Sequence, residues 1–117
     1  MTVFSNPVAT ALQLMGGKWK IAILYNLRND AVRFGELKRR LAPITQQMLT
    51  KQLRELESDR LINRQVFEVI PPRVDYSLTD LGRSFMPVIN ALCQWSKDNQ
   101  EVLLAIAQQS ASEDTSV

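Results

Sequence analysis

At 117 residues with 45% hydrophobic side chains, the chain can bury the core of one domain without disulfides or a structural metal. It has no histidine and a single cysteine, Cys93, which removes the usual metal-ligand clusters and the Ser-His and Cys-His forms of nucleophilic catalysis; neither an enzyme nor a cofactor is expected. The formal net charge of +2 hides an uneven split: Lys18 to Arg73 holds twelve Lys/Arg against six Asp/Glu, while from Val74 onward two basic residues face six acidic ones, so the middle of the chain suits a polyanion.

No apolar run approaches the ~18 residues of a membrane span, and the opening MTVFSNPVAT lacks the charged-then-apolar order of a secretory signal. A reduced cytoplasmic setting with no membrane partner is the expectation. After Pro7, the residues Val8, Leu12 and Met15 recur at i, i+4 and i+7, which predicts a short amphipathic helix ending at Gly16-Gly17. A second helix is predicted over Lys18 to Arg28, with Trp19, Ile23 and Leu27 on a broad apolar face and Asn29-Asp30 as its stop. Lys18 and Lys20 in its first turn oppose the helix dipole, an arrangement that suits either a nearby anion such as a phosphate or plain solvent exposure.

Arg33 to Leu41 reads as a third helix, with Phe34, Leu37 and Leu41 on one face and Lys38, Arg39 and Arg40 on the others. Pro43 breaks it, Thr45 is a natural N-cap, and Leu49, Leu53 and Leu56 then carry a helix from Gln46 to Asp59. Two helices joined so tightly have helix-turn-helix spacing, whose second member can enter a major groove. Opposite the leucine stripe fall Gln47, Thr50, Lys51, Arg54 and Ser58. Gln pairs bidentately with adenine, Arg and Lys with guanine, and Thr with polar edges or a thymine methyl, so this face suits base reading. A merely solvated face would carry more glutamate, and Glu55, Glu57 and Asp59 are confined to the C-terminal end.

Leu61 to Val69 alternates apolar and polar side chains, Ile70-Pro71-Pro72 cannot continue a central ladder, and Val74 to Leu78 alternates again. This predicts a β-hairpin wing with a proline-stiffened tip. Arg73 beside the tip either reaches a minor groove or phosphate or pairs with Glu68 or Asp75. Thr79 then caps a helix carrying Leu81, Phe85, Val88, Ile89, Leu92 and Trp95, which Pro87 should bend, and a last helix is expected from Asp98 to Gln109. Having little core left to cover, these late apolar stripes are expected to pack on a second copy of the chain. Cys93 lies on that apolar face and is expected to be a buried, inert thiol, so that mild oxidant leaves DNA binding unchanged.

The segments GGKWK (Gly16 to Lys20), RFGELKRRL (Arg33 to Leu41), ITQQMLTKQLRELESDRLINR (Ile44 to Arg64) and PPRVDYSLTDLG (Pro71 to Gly82) follow one another in register. In them the chain resembles the HxlR-type winged helix-turn-helix regulators, relatives of the MarR group. The resemblance implies a mainly α fold with a β-hairpin wing over residues 1–109, dimerising through its N- and C-terminal helices, and the polar composition of SASEDTSV predicts a disordered tail over 110–117. It implies a homodimer on a pseudo-palindromic operator in double-stranded DNA, read by Thr45, Gln46, Gln47, Thr50, Lys51 and Arg54. Lys18, Lys38, Arg64 and the wing residue Arg73 would then meet phosphates or the flanking groove. Several members of the family carry a sensing cysteine before the N-terminal proline. Here that place is Asn6, so thiol sensing there does not carry over. A small apolar effector between the recognition domain and the dimer helices is left open. The other reading is a winged-helix protein–protein interaction module without sequence-specific DNA binding, against which stands the Gln46-Gln47, Thr50, Lys51, Arg54 set in place of exposed aromatics.

Overall fold

A computed structural model describes residues 6–115, so expectations for residues 1–5 and for Ser116 and Val117 lie outside the described residues. The chain divides between Met86 and Pro87 into two compact units, where the sequence reads as one domain over 1–109.

The first unit holds α1 (Pro7–Leu14), α2 (Lys20–Asn26), β1 (Val32–Arg33), α3 (Phe34–Arg40), α4 (Gln46–Ser58), β2 (Ile62–Phe67), β3 (Arg73–Leu78) and α5 (Asp80–Ser84). Pro7 opens α1, where the missing N–H costs nothing, and Asn6 caps it by accepting the Val8 N–H at 2.9 Å. Helix α2 is shorter than expected and leaves Lys18 outside it. Its Ile23 and Leu24, with Leu27 just beyond, are buried with Leu37 of α3 and Leu49, Leu53 and Leu56 of α4. This is the apolar stripe that the i, i+4, i+7 spacing dictates.

The three-stranded antiparallel sheet has the order β1-β3-β2. In the hairpin Ile62 faces Leu78, Arg64 faces Tyr76 and Phe67 faces Arg73. Strand β1 is new relative to the sequence: Val32 pairs with Tyr76 and Arg33 with Asp75, so Arg33 ends a strand instead of opening a helix. Two residues are too few to show alternation. The wing is thereby anchored to the start of α3.

Thr79 caps α5 by accepting the Gly82 N–H at 3.0 Å. The expected single bent helix is two, with Phe85 ending α5 and α6 (Met86–Asp98) starting afresh. Pro87 explains the break, since it has no N–H to give and is tolerated only in a first turn. In the second unit α6 is followed by α7 (Gln100–Thr115). Helix α7 continues through Thr115, so the tail expected to be disordered from residue 110 is helical that far. No glycine or proline interrupts that stretch. Cys93 is half-buried instead of buried, since its neighbours Leu92 and Trp95 on α6 are themselves exposed. Among the described residues no helix is long and apolar enough to cross a membrane, and no group of three His, Cys, Asp or Glu is placed to hold a metal ion.

Candidate nucleic-acid interface

The outer face of α4 is set by its start and by its buried side. Thr45 Oγ1 accepts the Met48 N–H at 3.1 Å, which satisfies one orphan donor and fixes where the helix begins. No acidic residue occupies the first turn, so the positive end of the helix dipole is uncompensated there. With Leu49, Leu53 and Leu56 facing inward, Gln46, Gln47, Lys51 and Arg54 are exposed and Thr50 is half-buried. These five, with Glu55, line one surface depression. Side chains of this length, held on a rigid helix, present donors and acceptors in the row that base edges require.

Arg64 belongs with them. It is exposed on β2, and it shares a second depression with Gln46, Thr50, Arg54 and Glu57, backed by Phe34 and Tyr76. The outer face of α4 and the root of the wing therefore share one depression, and it carries two guanidinium groups.

The other expected cations are placed differently. Lys38 is exposed on α3, and Lys18 is exposed ahead of α2 with its Nζ 5.0 Å from the Trp19 ring centroid. Arg73 lies at the tip end of β3. Its Nε and Nη2 donate to Asp75 Oδ1 and Oδ2 at 3.0 and 2.8 Å, and its guanidinium lies over the Phe67 ring. The pairing with Asp75 is thus the one realised of the two offered by the sequence. The hydrogen bond from Arg73 holds the Asp75 carboxyl below its ordinary range, with Arg33 adding Coulombic support, while burial pushes the other way.

Three further charge relationships escaped the sequence reading. Glu36 accepts from both Arg39 and Arg40, so of the Lys38-Arg39-Arg40 run only Lys38 lacks this carboxylate's company. The hydrogen bonds from Arg39 and then Arg40 lower the Glu36 carboxyl to about 2. Their i+3 and i+4 spacing was signal enough to find them. Lys20, for which the sequence offered a nearby anion or plain solvent exposure, is buried, with its Nζ 2.9 Å from Glu55 Oε2 on α4. Its anion comes from the protein itself. Arg33, through its pairing with Asp75, joins the wing cluster, for which the sequence carried no signal.

Comparison with known proteins places the chain in a family. The family model for HxlR-like helix-turn-helix proteins matches residues 14–103. An HTH-type transcriptional regulator of Methanothermobacter thermautotrophicus is 51% identical over 90 residues, covering 77% of this chain and 69% of that protein. Among solved structures, a MarR-family transcriptional regulator of Porphyromonas gingivalis W83 superposes with a TM-score of 0.81 at 33% identity, over 85% of this chain and 97% of that one. The redox regulator HypR in its reduced form also gives 0.81, at 42% identity over 86% of this chain and 99% of its own.

Proposed function

Because the chain belongs to the HxlR-like helix-turn-helix family and is a transcriptional regulator with a winged helix-turn-helix, we propose that it binds a pseudo-palindromic operator as a homodimer, each copy reading one half-site through α4. The observation that carries the reading is the capped start of α4, with Gln46, Gln47, Lys51 and Arg54 outward beside Arg64 of the wing. Gln46, Gln47, Thr50, Lys51 and Arg54 read base edges, Thr45 sets the helix start, and Arg64, Lys38 and Lys18 neutralise phosphates. Arg73, tied to Asp75, stiffens the wing.

The dimer has its own support. Val8 and Leu12 of α1, Val88 and Trp95 of α6, and Val102 and Ile106 of α7 are each more than half exposed. Apolar surface on so many helices of a small regulator is what a second copy would cover. Asn6 spends its side chain on capping α1, so sensing by a thiol at that place is not part of the proposal. The protein works in the cytoplasm, and no catalytic step is assigned to it.

Selection of bound duplexes from a random DNA pool, followed by footprinting, tests the reading. A two-fold symmetric consensus is expected, with affinity falling steeply as salt rises. Binding without any preferred sequence would overturn it in favour of the interaction-module alternative.

A further inference from the structure

Glu55 lies one turn beyond Lys51 on α4, at the four-residue spacing at which an ammonium and a carboxylate can meet, and both line the depression that holds Gln47 and Arg54. The carboxylate is nevertheless engaged elsewhere: Lys20 Nζ of α2 holds Oε2 at 2.9 Å, with the lysine side chain 11% exposed and the glutamate 41%. Two cations thus compete for one anion. Lys20 has the stronger claim, because an ammonium withdrawn from water needs a counter-charge far more than an exposed one does.

Resting on the reading of α4 as the recognition helix, we infer that Lys20 is a positioning residue for DNA binding: by holding the Glu55 carboxylate against α2 it leaves the Lys51 ammonium un-neutralised and available to DNA. Glu55 feels both partners, its carboxyl being lowered first by the hydrogen bond from Lys20 and, more weakly, by the charge of Lys51. Without Lys20, the cation whose charge still acts on the carboxylate is Lys51, and it belongs to the interface. Glu55 is exposed enough to make that turn at little cost. Lys20 acts on DNA without touching it.

The test uses the full chain and a duplex that the wild type has selected from a random pool. Lys20→Met should weaken binding on the order of tenfold, the worth of one base contact, and lower the salt dependence by about one counterion. Lys20→Met with Glu55→Gln should recover most of that loss, because an amide cannot neutralise Lys51. In a Lys51→Ala background Lys20→Met should change affinity little, a coupling that a purely structural role would not produce. Equal losses from Lys20→Met in all three backgrounds, or no loss at all, overturn the proposal. If circular dichroism shows that Lys20→Met does not fold, Lys20→Gln carries the same comparisons with a polar group at the same depth. Failure of the wild type to select any duplex sinks the operator reading itself, whereas selection followed by equal losses, or by none, sinks only the role of Lys20.

Discussion

A Cβ added to Gly82 would lie 2.1 Å from the carbonyl oxygen of Leu61, a backbone atom that cannot swing aside. The same carbonyl accepts the Thr79 N–H at 3.1 Å, and Thr79 Oγ1 donates to the Arg60 carbonyl at 2.7 Å, so α5 is docked tightly onto the start of β2. Gly82→Ala should force the two apart and cost about 1–3 kcal/mol, the usual range for overpacking, or more. Urea unfolding followed by circular dichroism measures it, and an unchanged midpoint would contradict the packing described.

Arg60, just beyond α4 and its C-cap Asp59, lies in the left-handed region at φ 63. A side chain there brings Cβ too close to the following carbonyl oxygen, a strain that glycine does not have. Arg60→Gly should therefore raise stability by on the order of 1 kcal/mol, a net gain after glycine's larger unfolded-state entropy. A fall in the melting temperature would show that the arginine side chain contributes more than its backbone costs.

The start of α4 can be weakened by itself. Thr45→Ala removes the acceptor of the Met48 N–H and should cost about 1 kcal/mol of stability. Thr45→Ser, which keeps the oxygen, should stay near wild type. DNA affinity should follow the same order, because the frayed turn is the one carrying Gln46 and Gln47.

Glu36 sets a pH window. Its carboxyl is lowered from an ordinary 4.5 to about 2 by Arg39 and Arg40, so the stabilisation is complete above the unfolded value and is lost as pH falls through the folded one. A carbon-13 titration of the Glu36 carboxyl should show its midpoint near the lower figure. Glu36→Gln should abolish that part of the acid sensitivity. It should also release two guanidinium charges, raising non-specific DNA affinity and steepening its salt dependence.

Much of this is legible in the amino-acid sequence. Thr45 followed by Leu49, Leu53 and Leu56 defined α4 and its outward face, because a cap and a 3.6-residue stripe are local signals. Pro87 marked a disruption, but it starts a new helix where a bend was expected. Strand β1 left no trace, since its two residues are specified by their partners Tyr76 and Asp75 on a distant strand. The Lys20–Glu55 pair was hidden for the same reason: which face of α2 meets α4 is decided by packing, and spacing along one helix cannot reveal a partner on another.

The contrast between Arg64 and Arg73 offers the sharpest separation of roles. Both are wing arginines in the basic half of the chain, and composition alone would give them equal weight. Arg64 opens into the depression beside Thr50 and Arg54, whereas Arg73 spends its Nε and Nη2 on Asp75 and its face on Phe67. Bound counterions are released only by charges that DNA can reach, so Arg64→Ala should weaken binding and reduce the salt slope by about one. Arg73→Ala should leave that slope nearly unchanged and show its effect in stability, because it strips a buried carboxylate of its principal hydrogen-bond donor. Asp75→Asn in the Arg73→Ala background should recover part of that loss, since the amide needs no counter-charge. If Arg73→Ala instead flattened the salt slope as much as Arg64→Ala, the guanidinium would have to leave Asp75 on binding, and the wing would be a direct DNA contact at its tip as well as at its root.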